Sequence, residues 1–307
     1  MRPIVHALAP AKVNLALSVG PPNASGMHPI SSWMVTVDLH DEMTVQALDA
    51  NARSLYAIVW HADAKRQSKI DWSITKDLAV RAHQLLEAHV GRQLPLKMHL
   101  QKRIPVGGGL GGGSSNAAAM LRAVNELFEL NLCVEELVAL AVKLGSDVPF
   151  LVRGGSAIVE GIGERLHAAP MPADLHAVLV LPDAVCATNR VYQAFDALRP
   201  DAALRSAQVH ALAQSLSTLQ FHQPFNDLTE AAFAVAPRLR GECEEISELI
   251  QREVHVSGSG STLYFLCASA VESDLLADAV ARHMHIPCVP VQAVTTTAAV
   301  RLAHKNA

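Results

Sequence analysis

The sequence predicts an α+β protein built as two layered domains, and three observations carry that prediction. Its 307 residues are 50% hydrophobic, enough for a substantial core and, at usual domain sizes, for two domains. Period-two strand patterns and 3.6-residue helix patterns succeed one another along the chain without an internal repeat or a low-complexity segment. The connection HAAPMPADLH carries two prolines, so the boundary falls near residue 168, with domains over 1–168 and 169–307.

The elements follow in order. KVNLALSV, from Lys12 to Val19, alternates polar and apolar residues until Pro21 and Pro22 stop it, and Val35–Leu39 and Met43–Leu48 read as two further strands. DLAVRAHQLLEAHV places Leu78, Ala82, Leu85 and Leu86 on one helical face, and LKMHLQKRI returns to period two. NAAAMLRAVNELFEL is rich in helix formers, with an apolar stripe through Ala117, Met120, Leu121, Val124 and Leu127. VEELVALAVKL gives another helix that stops near Gly145, and SAIVEGIG a short strand and turn. The second half opens with the strand AVLVL and passes through several helical stretches to the turn SGSGS and the strand TLYFL. The helix AVESDLLADAVARHM and an edge strand, VPVQAVTT, close it.

Composition removes several function classes. A formal net charge of −4, with lysine and arginine scattered, leaves no basic surface for a polyanion, so no nucleic-acid partner is expected. Five cysteines, odd in number and far apart, form no Cys-x-x-Cys pair, which suits a reducing compartment. Pro3, Pro10, Lys12 and Asn14 interrupt the opening stretch where a signal peptide needs an apolar run, and no segment has the length of apolar sequence that spans a bilayer. The expectation is a cytoplasmic protein with no membrane partner. His283 and His285 have a spacing that two metal ligands can have, but surface histidines beside a helix end share it, and no metal role is assigned to them.

The chemistry concentrates in PVGGGLGGGSSNAAAML. Six of the seven residues from Gly107 to Gly113 are glycine, and a helix opens directly afterwards with Ser114, Ser115 and Asn116 as N-cap candidates. Backbone amides there can approach a ligand closely, and the positive end of the helix dipole favours an anion, so the segment reads as a phosphate cradle. A flexible linker seldom runs straight into an amphipathic helix. The Walker and Rossmann glycine loops need a Gly-Lys-Ser/Thr ending or a strand, tight turn and later acid, and neither context fits.

This loop resembles the phosphate-binding motif of the GHMP kinases, and its doubled form, GLGGGSS, is similar to the branch of that family acting on a diphosphocytidyl-linked polyol in non-mevalonate isoprenoid synthesis. APAKVNLAL resembles the family's first motif, GSDVPFLVRGGSAIVEGIGE the stretch bearing its catalytic aspartate, and VSGSGSTLYFL its C-terminal glycine motif. The resemblance covers most of the chain and is weakest over 50–75 and 195–250. It implies an N-terminal α/β domain carrying the loop and a C-terminal ferredoxin-like sandwich. It further implies ATP as co-substrate with Mg2+, a small-molecule acceptor phosphorylated on its 2-hydroxyl, and a monomer or homodimer.

Residue by residue, the resemblance implies that Asp147 is the general base and Lys12 its cationic partner. Lys102 is expected beside the adenine, with Pro105, Val106, Gly107, Gly108, Gly109, Leu110, Gly111, Gly112 and Gly113 around the phosphates. Ser114 or Ser115 is expected to reach the phosphates or the magnesium. Asn14 is assigned to the sugar-like end of the acceptor, His28 to a cytosine edge, and Tyr192 to a stacking face, or else simply to the core. Two positions depart from the family: Met27 stands where a Gly-Tyr-His sequence has its aromatic, and Asp77 where asparagine is usual near the adenine. The competing readings are a GHMP kinase for homoserine, mevalonate or a sugar, and a nucleotide-binding protein of this fold without turnover.

Overall fold

The computed structural model describes residues 2–172, 174–215, 223–295 and 300–303. The first half runs β1 (Ile4–Val19), β2 (Ile30–Ala47), β3 (Leu55–Trp60), α1 (Leu78–Val90), β4 (Leu96–Lys102), α2 (Gly112–Leu127), α3 (Val134–Ala141), α4 (Val148–Arg153), β5 (Ser156–Gly161) and β6 (Arg165–Ala168). The second runs β7 (His176–Val180), α5 (Thr188–Leu198), α6 (Ser206–Gln214), β8 (Phe225–Asn226), α7 (Thr229–Val235), α8 (Pro237–Ile250), β9 (His255–Val256), β10 (Leu263–Cys267), α9 (Ala270–Met284), β11 (Cys288–Gln292) and β12 (Val300–Ala303). Among the described residues no helix is long and apolar enough to cross a membrane.

Two sheets organise these elements. The larger has the path β12-β1-β2-β4-β3, with β5 and then β6 extending from β2, and β8 beside β1; the smaller is β11-β7-β10-β9, antiparallel throughout. β8 and β12 both come from beyond residue 168, so the C-terminal half contributes to the first sheet as well. The sheets share a core. Ala11, Val13, Leu15, Trp33, Val35 and Val37 of the larger sheet cluster with Ala177, Leu179, Tyr264 and Leu266 of the smaller. Val178, Val180, Leu263 and Phe265, one residue out of phase, instead join the cluster that includes the helices. That alternation is the period of two, read on a sheet buried on both faces.

Several elements differ from the sequence reading. The strand expected from Lys12 begins at Ile4; Pro10, which cannot donate to a ladder, is accommodated where the β1–β2 register shifts between Pro10 and Ala11. The two strands expected over 35–48 are one long strand, β2. β3 was not foreseen, because an edge strand with only half-buried residues on its inner face gives a weak pattern. α2 opens at Gly112 rather than after the serines: its N-cap is Gly111, in the left-handed region at φ 70°, and no side chain caps it. Of the final strand, β11 spans Cys288–Gln292 at the edge of the smaller sheet, and Thr296 lies outside the described residues.

Candidate active site

The two register shifts in β1, at Pro10/Ala11 and at Asn14/Ala16, build the centre of the site. Before the first shift, Val5, Ala7 and Ala9 point to the helix-side core; between the shifts, Ala11, Val13 and Leu15 point instead to the inter-sheet core. Lys12 and Asn14 thereby lie on the opposite side of the strand, where they line a cleft of about 520 Å³. Both are buried.

Their hydrogen bonds fix them. Lys12 Nζ donates to Asn14 Oδ1 at 2.5 Å, and Asn14 Nδ2 donates to Ser32 Oγ at 2.8 Å, which in turn donates to Ala16 O at 2.7 Å. The chain of donors sets which way the Asn14 amide faces. Lys12 Nζ also lies 3.6 Å from Asp147 Oδ2. Asp147 occupies the N-cap of α4, whose first residues, Val148, Pro149 and Phe150, are fully or almost fully buried, and its carboxylate stays a quarter exposed on the cleft. A carboxylate reachable by a substrate hydroxyl, with an ammonium beside it, can accept a proton and stabilise the alkoxide character that follows.

The glycine loop is held from behind. Lys12 N donates to Leu110 O, Thr262 N to Gly108 O, and Ser257 Oγ to Gly109 O, so the segment 107–111 is clamped between β1 and the SGSGS turn. The contact at Gly109 is close enough that a Cβ would sit 2.0 Å from Ser257 O, and the φ of 75° is itself one that favours glycine. The loop then runs into the first turn of α2, whose N–H groups have no intrahelical acceptors and no side-chain cap. Ser114 is on the cleft wall; Ser115, buried and with its N–H bonded to Gly111 O, is not. Asn116 lies on the wall too, and its buried Oδ1 has no hydrogen-bond partner among the described residues. Asn116 is thus a wall residue within α2 and not its cap.

Lys102 is on the wall, and its ammonium is 2.5 Å from Asp41 Oδ2, a completely buried carboxylate that also accepts from the backbone N–H groups of Arg103 and Ile104. Asp77 is on the wall as well, and both its oxygens are engaged: Oδ1 caps α1 through Ala79 N and Val80 N, and Oδ2 accepts from Trp72 Nε1 at 3.1 Å. Trp72 thereby forms part of the wall. No local pattern marks this role, since the tryptophan sits in a polar stretch without periodicity.

Across the cleft, Tyr192 projects from α5, and Thr188 on the same helix bonds Ser259 of the SGSGS turn at 3.0 Å. Burial and the neighbouring Asp147 carboxylate push the Tyr192 phenol up to about 12, so it stays neutral. His28 is not on the wall; its ring packs behind Tyr192, with centroids 4.9 Å apart. Met27 is half exposed and also off the wall, in a turn organised by Asn23 Oδ1. Far from the cleft, His283 faces Glu245 and His285 ends α9 in the left-handed region; among the described residues no cluster of three His, Cys, Asp or Glu side chains could hold a metal ion.

Known proteins resemble this chain along most of its length. Residues 77–155 match the GHMP kinases N terminal domain, which therefore spans α1, the glycine loop and Asp147. The 4-diphosphocytidyl-2-C-methyl-D-erythritol kinase of Caulobacter vibrioides (strain NA1000 / CB15N) is 38% identical over 291 residues, covering 89% of this chain and 93% of the relative. That of Salinispora arenicola (strain CNS-205) is 34% identical, covering 87% and 85%. A crystal structure of 4-(cytidine 5'-diphospho)-2C-methyl-D-erythritol kinase superposes with a TM-score of 0.73 at 30% identity, over 94% of this chain and 98% of that one. The mevalonate kinase of Methanococcus jannaschii shares the fold alone, at a TM-score of 0.67 and 11% identity. With a glycine cradle clamped beside a lysine–aspartate couple, and with this similarity along nearly its whole length, the chain belongs to the GHMP kinases, in the family of the 4-diphosphocytidyl-2-C-methyl-D-erythritol kinases.

Proposed function

We propose that the protein transfers the γ-phosphoryl group of ATP to the 2-hydroxyl of 4-diphosphocytidyl-2-C-methyl-D-erythritol, as a cytoplasmic enzyme of isoprenoid precursor synthesis. The observation that carries this reading is the placing of Lys12 and Asp147, 3.6 Å apart, in the same cleft as the clamped glycine loop. A phosphoryl transfer of this kind asks the protein chiefly for positioning and charge. Loop amides and the first turn of α2 receive the phosphates; Asp147 takes the hydroxyl proton; Lys12 orients Asp147 and balances charge as it shifts. Asn14, fixed by Lys12 and Ser32, faces the polyol end.

Trp72, Asp77, Lys76 and Lys102 form the wall assigned to the adenine end, where the flat Trp72 ring suits a purine and Lys102 contributes mainly through its stem. Tyr192, backed by His28, is assigned to the cytidine end. The magnesium that such a kinase uses would be held mostly by the phosphates. Ser114 and the unpartnered Oδ1 of Asn116 offer the hard, neutral oxygens that suit it or its waters, and the ion would supply neutralising charge to the phosphate oxygens. An ADP-release assay on a panel of alcohols tests the assignment: turnover with the diphosphocytidyl substrate and not with homoserine, mevalonate or sugars is expected, and the reverse would sink it.

A further inference from the structure

The SGSGS turn packs on both the glycine loop and Lys12, and a residue off the cleft wall holds it from behind. Asn226, the last residue of β8, donates both amide N–H groups to the turn, to Val256 O at 2.8 Å and to Gly258 O at 2.7 Å. Its Oδ1 accepts from Leu228 N at 2.9 Å. All three bonds agree on one orientation of the amide, since a carbonyl only accepts and a backbone N–H only donates. Asn226 is anchored in turn to the strand that carries Lys12 and Asn14. β8 runs parallel to β1 with Leu17 opposite Asn226, just past the register shift between Asn14 and Ala16, and Asp227 N donates to Leu17 O at 2.9 Å.

Gly258 is where this grip meets the chemistry. A Cβ there would lie 3.1 Å from Gly109 O, 3.2 Å from Lys12 Nζ and 3.3 Å from Asn14 Oδ1, so the backbone at Gly258 abuts the loop and the lysine–asparagine pair together. The same turn gives Ser257 Oγ to Gly109 O and Thr262 N to Gly108 O. We infer that Asn226 is a positioning residue: by tying Val256 and Gly258 to β1, it sets the spacing between the turn and Lys12 and keeps lysine and glycine loop aligned for phosphoryl transfer. The inference rests on the roles proposed above for Lys12, Asp147 and the loop. Without the amide, two carbonyls lose their donors, one of them on the fully buried Val256, and the turn shifts against Lys12. A displacement of about 1 Å is enough to cost about a hundredfold in rate, because alignment carries much of this chemistry.

The test measures kcat, the KM for ATP and the melting temperature in wild type, Asn226→Asp and Gly258→Ala, with Asn125→Ala as a control. Asn226→Asp keeps the shape and the bond from Leu228 N, but an ionised carboxylate has no proton for either carbonyl. Its kcat should fall by about tenfold to a hundredfold, with a rise of several-fold in the KM for ATP. Gly258→Ala leaves Asn226 in place and sets a methyl against Lys12 Nζ, so kcat should fall by a similar factor. Asn125 clamps the loop after α2 with bonds of the same kind, to Leu132 N and O, away from the cleft wall. Asn125→Ala should lower the melting temperature and leave kcat near wild type, which separates lost stability from lost positioning. A folded Asn226→Asp enzyme with wild-type kcat overturns the inference, as does an equal fall of kcat in Asn125→Ala. Gly258→Ala with wild-type kcat overturns it too, and reads the contact at Lys12 even where Asn226→Asp fails to fold. A wild-type enzyme that does not phosphorylate the diphosphocytidyl substrate overturns the proposed function and the inference with it.

Discussion

Two lysines line the same cleft and are equally buried, yet their carboxylate partners set them apart. Lys102 is 2.5 Å from Asp41, which is completely buried and receives two further backbone N–H groups. Lys12 is 3.6 Å from Asp147, which remains a quarter exposed, and its short hydrogen bond goes to the neutral Asn14 instead. The first pair is closed: every charge has its partners inside the protein, and breaking it strands an ion in the core. The second is open, because Asp147 keeps a face toward the cleft. Burial of a lysine therefore marks function poorly; what its partner still has to offer marks it better.

The largest expected effect lies on the open pair. Asp147→Asn keeps the shape but cannot take a proton, so kcat should fall by about 10²–10⁴ while ATP affinity and the melting temperature stay near wild type. Activity within a few-fold of wild type would remove Asp147 from the mechanism. Lys12→Ala should depress kcat strongly as well, through charge that matters most in the transition state; a change confined to KM would make Lys12 a binding residue.

On the closed pair the effect should move from rate to stability. Lys102→Ala leaves Asp41 buried without its cation and should cost about 3–5 kcal/mol in chemical denaturation, whereas Lys102→Met with Asp41→Leu should recover most of it. If Lys102→Ala instead left stability intact and weakened only ATP binding, the contrast between the lysines would collapse.

A third comparison separates glycines of one loop. Gly109→Ala meets Ser257 O and should destabilise the protein by about 1–3 kcal/mol through overpacking and a left-handed φ. Gly113→Ala meets only Leu78 Cδ1, at 3.5 Å, and should fold normally, so any loss of ATP affinity there reports on the cradle itself. The smallest effect should be spectroscopic. ADP should quench the Trp72 component of the fluorescence, and Trp72→Phe should abolish that change while weakening ATP binding by a few-fold, about 1 kcal/mol of ring contact. Quenching that survives in Trp72→Phe would place the adenine elsewhere.

The amino-acid sequence by itself determined the fold class, the positions of the main helices and the cradle, because period, glycine density and motif order are properties of neighbouring residues. Gly107–Gly113 can be read as a tight, ligand-approaching turn without knowing what packs behind it. It did not disclose β3 or the merged β2, since each depends on a partner distant in the chain, β4 and β1; nor the Gly111 cap or the place of Trp72, which rest on a left-handed backbone turn and on the Asp77 carboxylate five residues on, local geometry that leaves no periodicity. Nor did it disclose the difference between Lys12 and Lys102. That was decided by tertiary structure, where register shifts in β1 turn Lys12 toward a half-open carboxylate and β2 brings Asp41 beneath Lys102, 61 residues away in sequence. A charged side chain's role follows from what surrounds it after folding, and pairing across that distance leaves no local pattern to read.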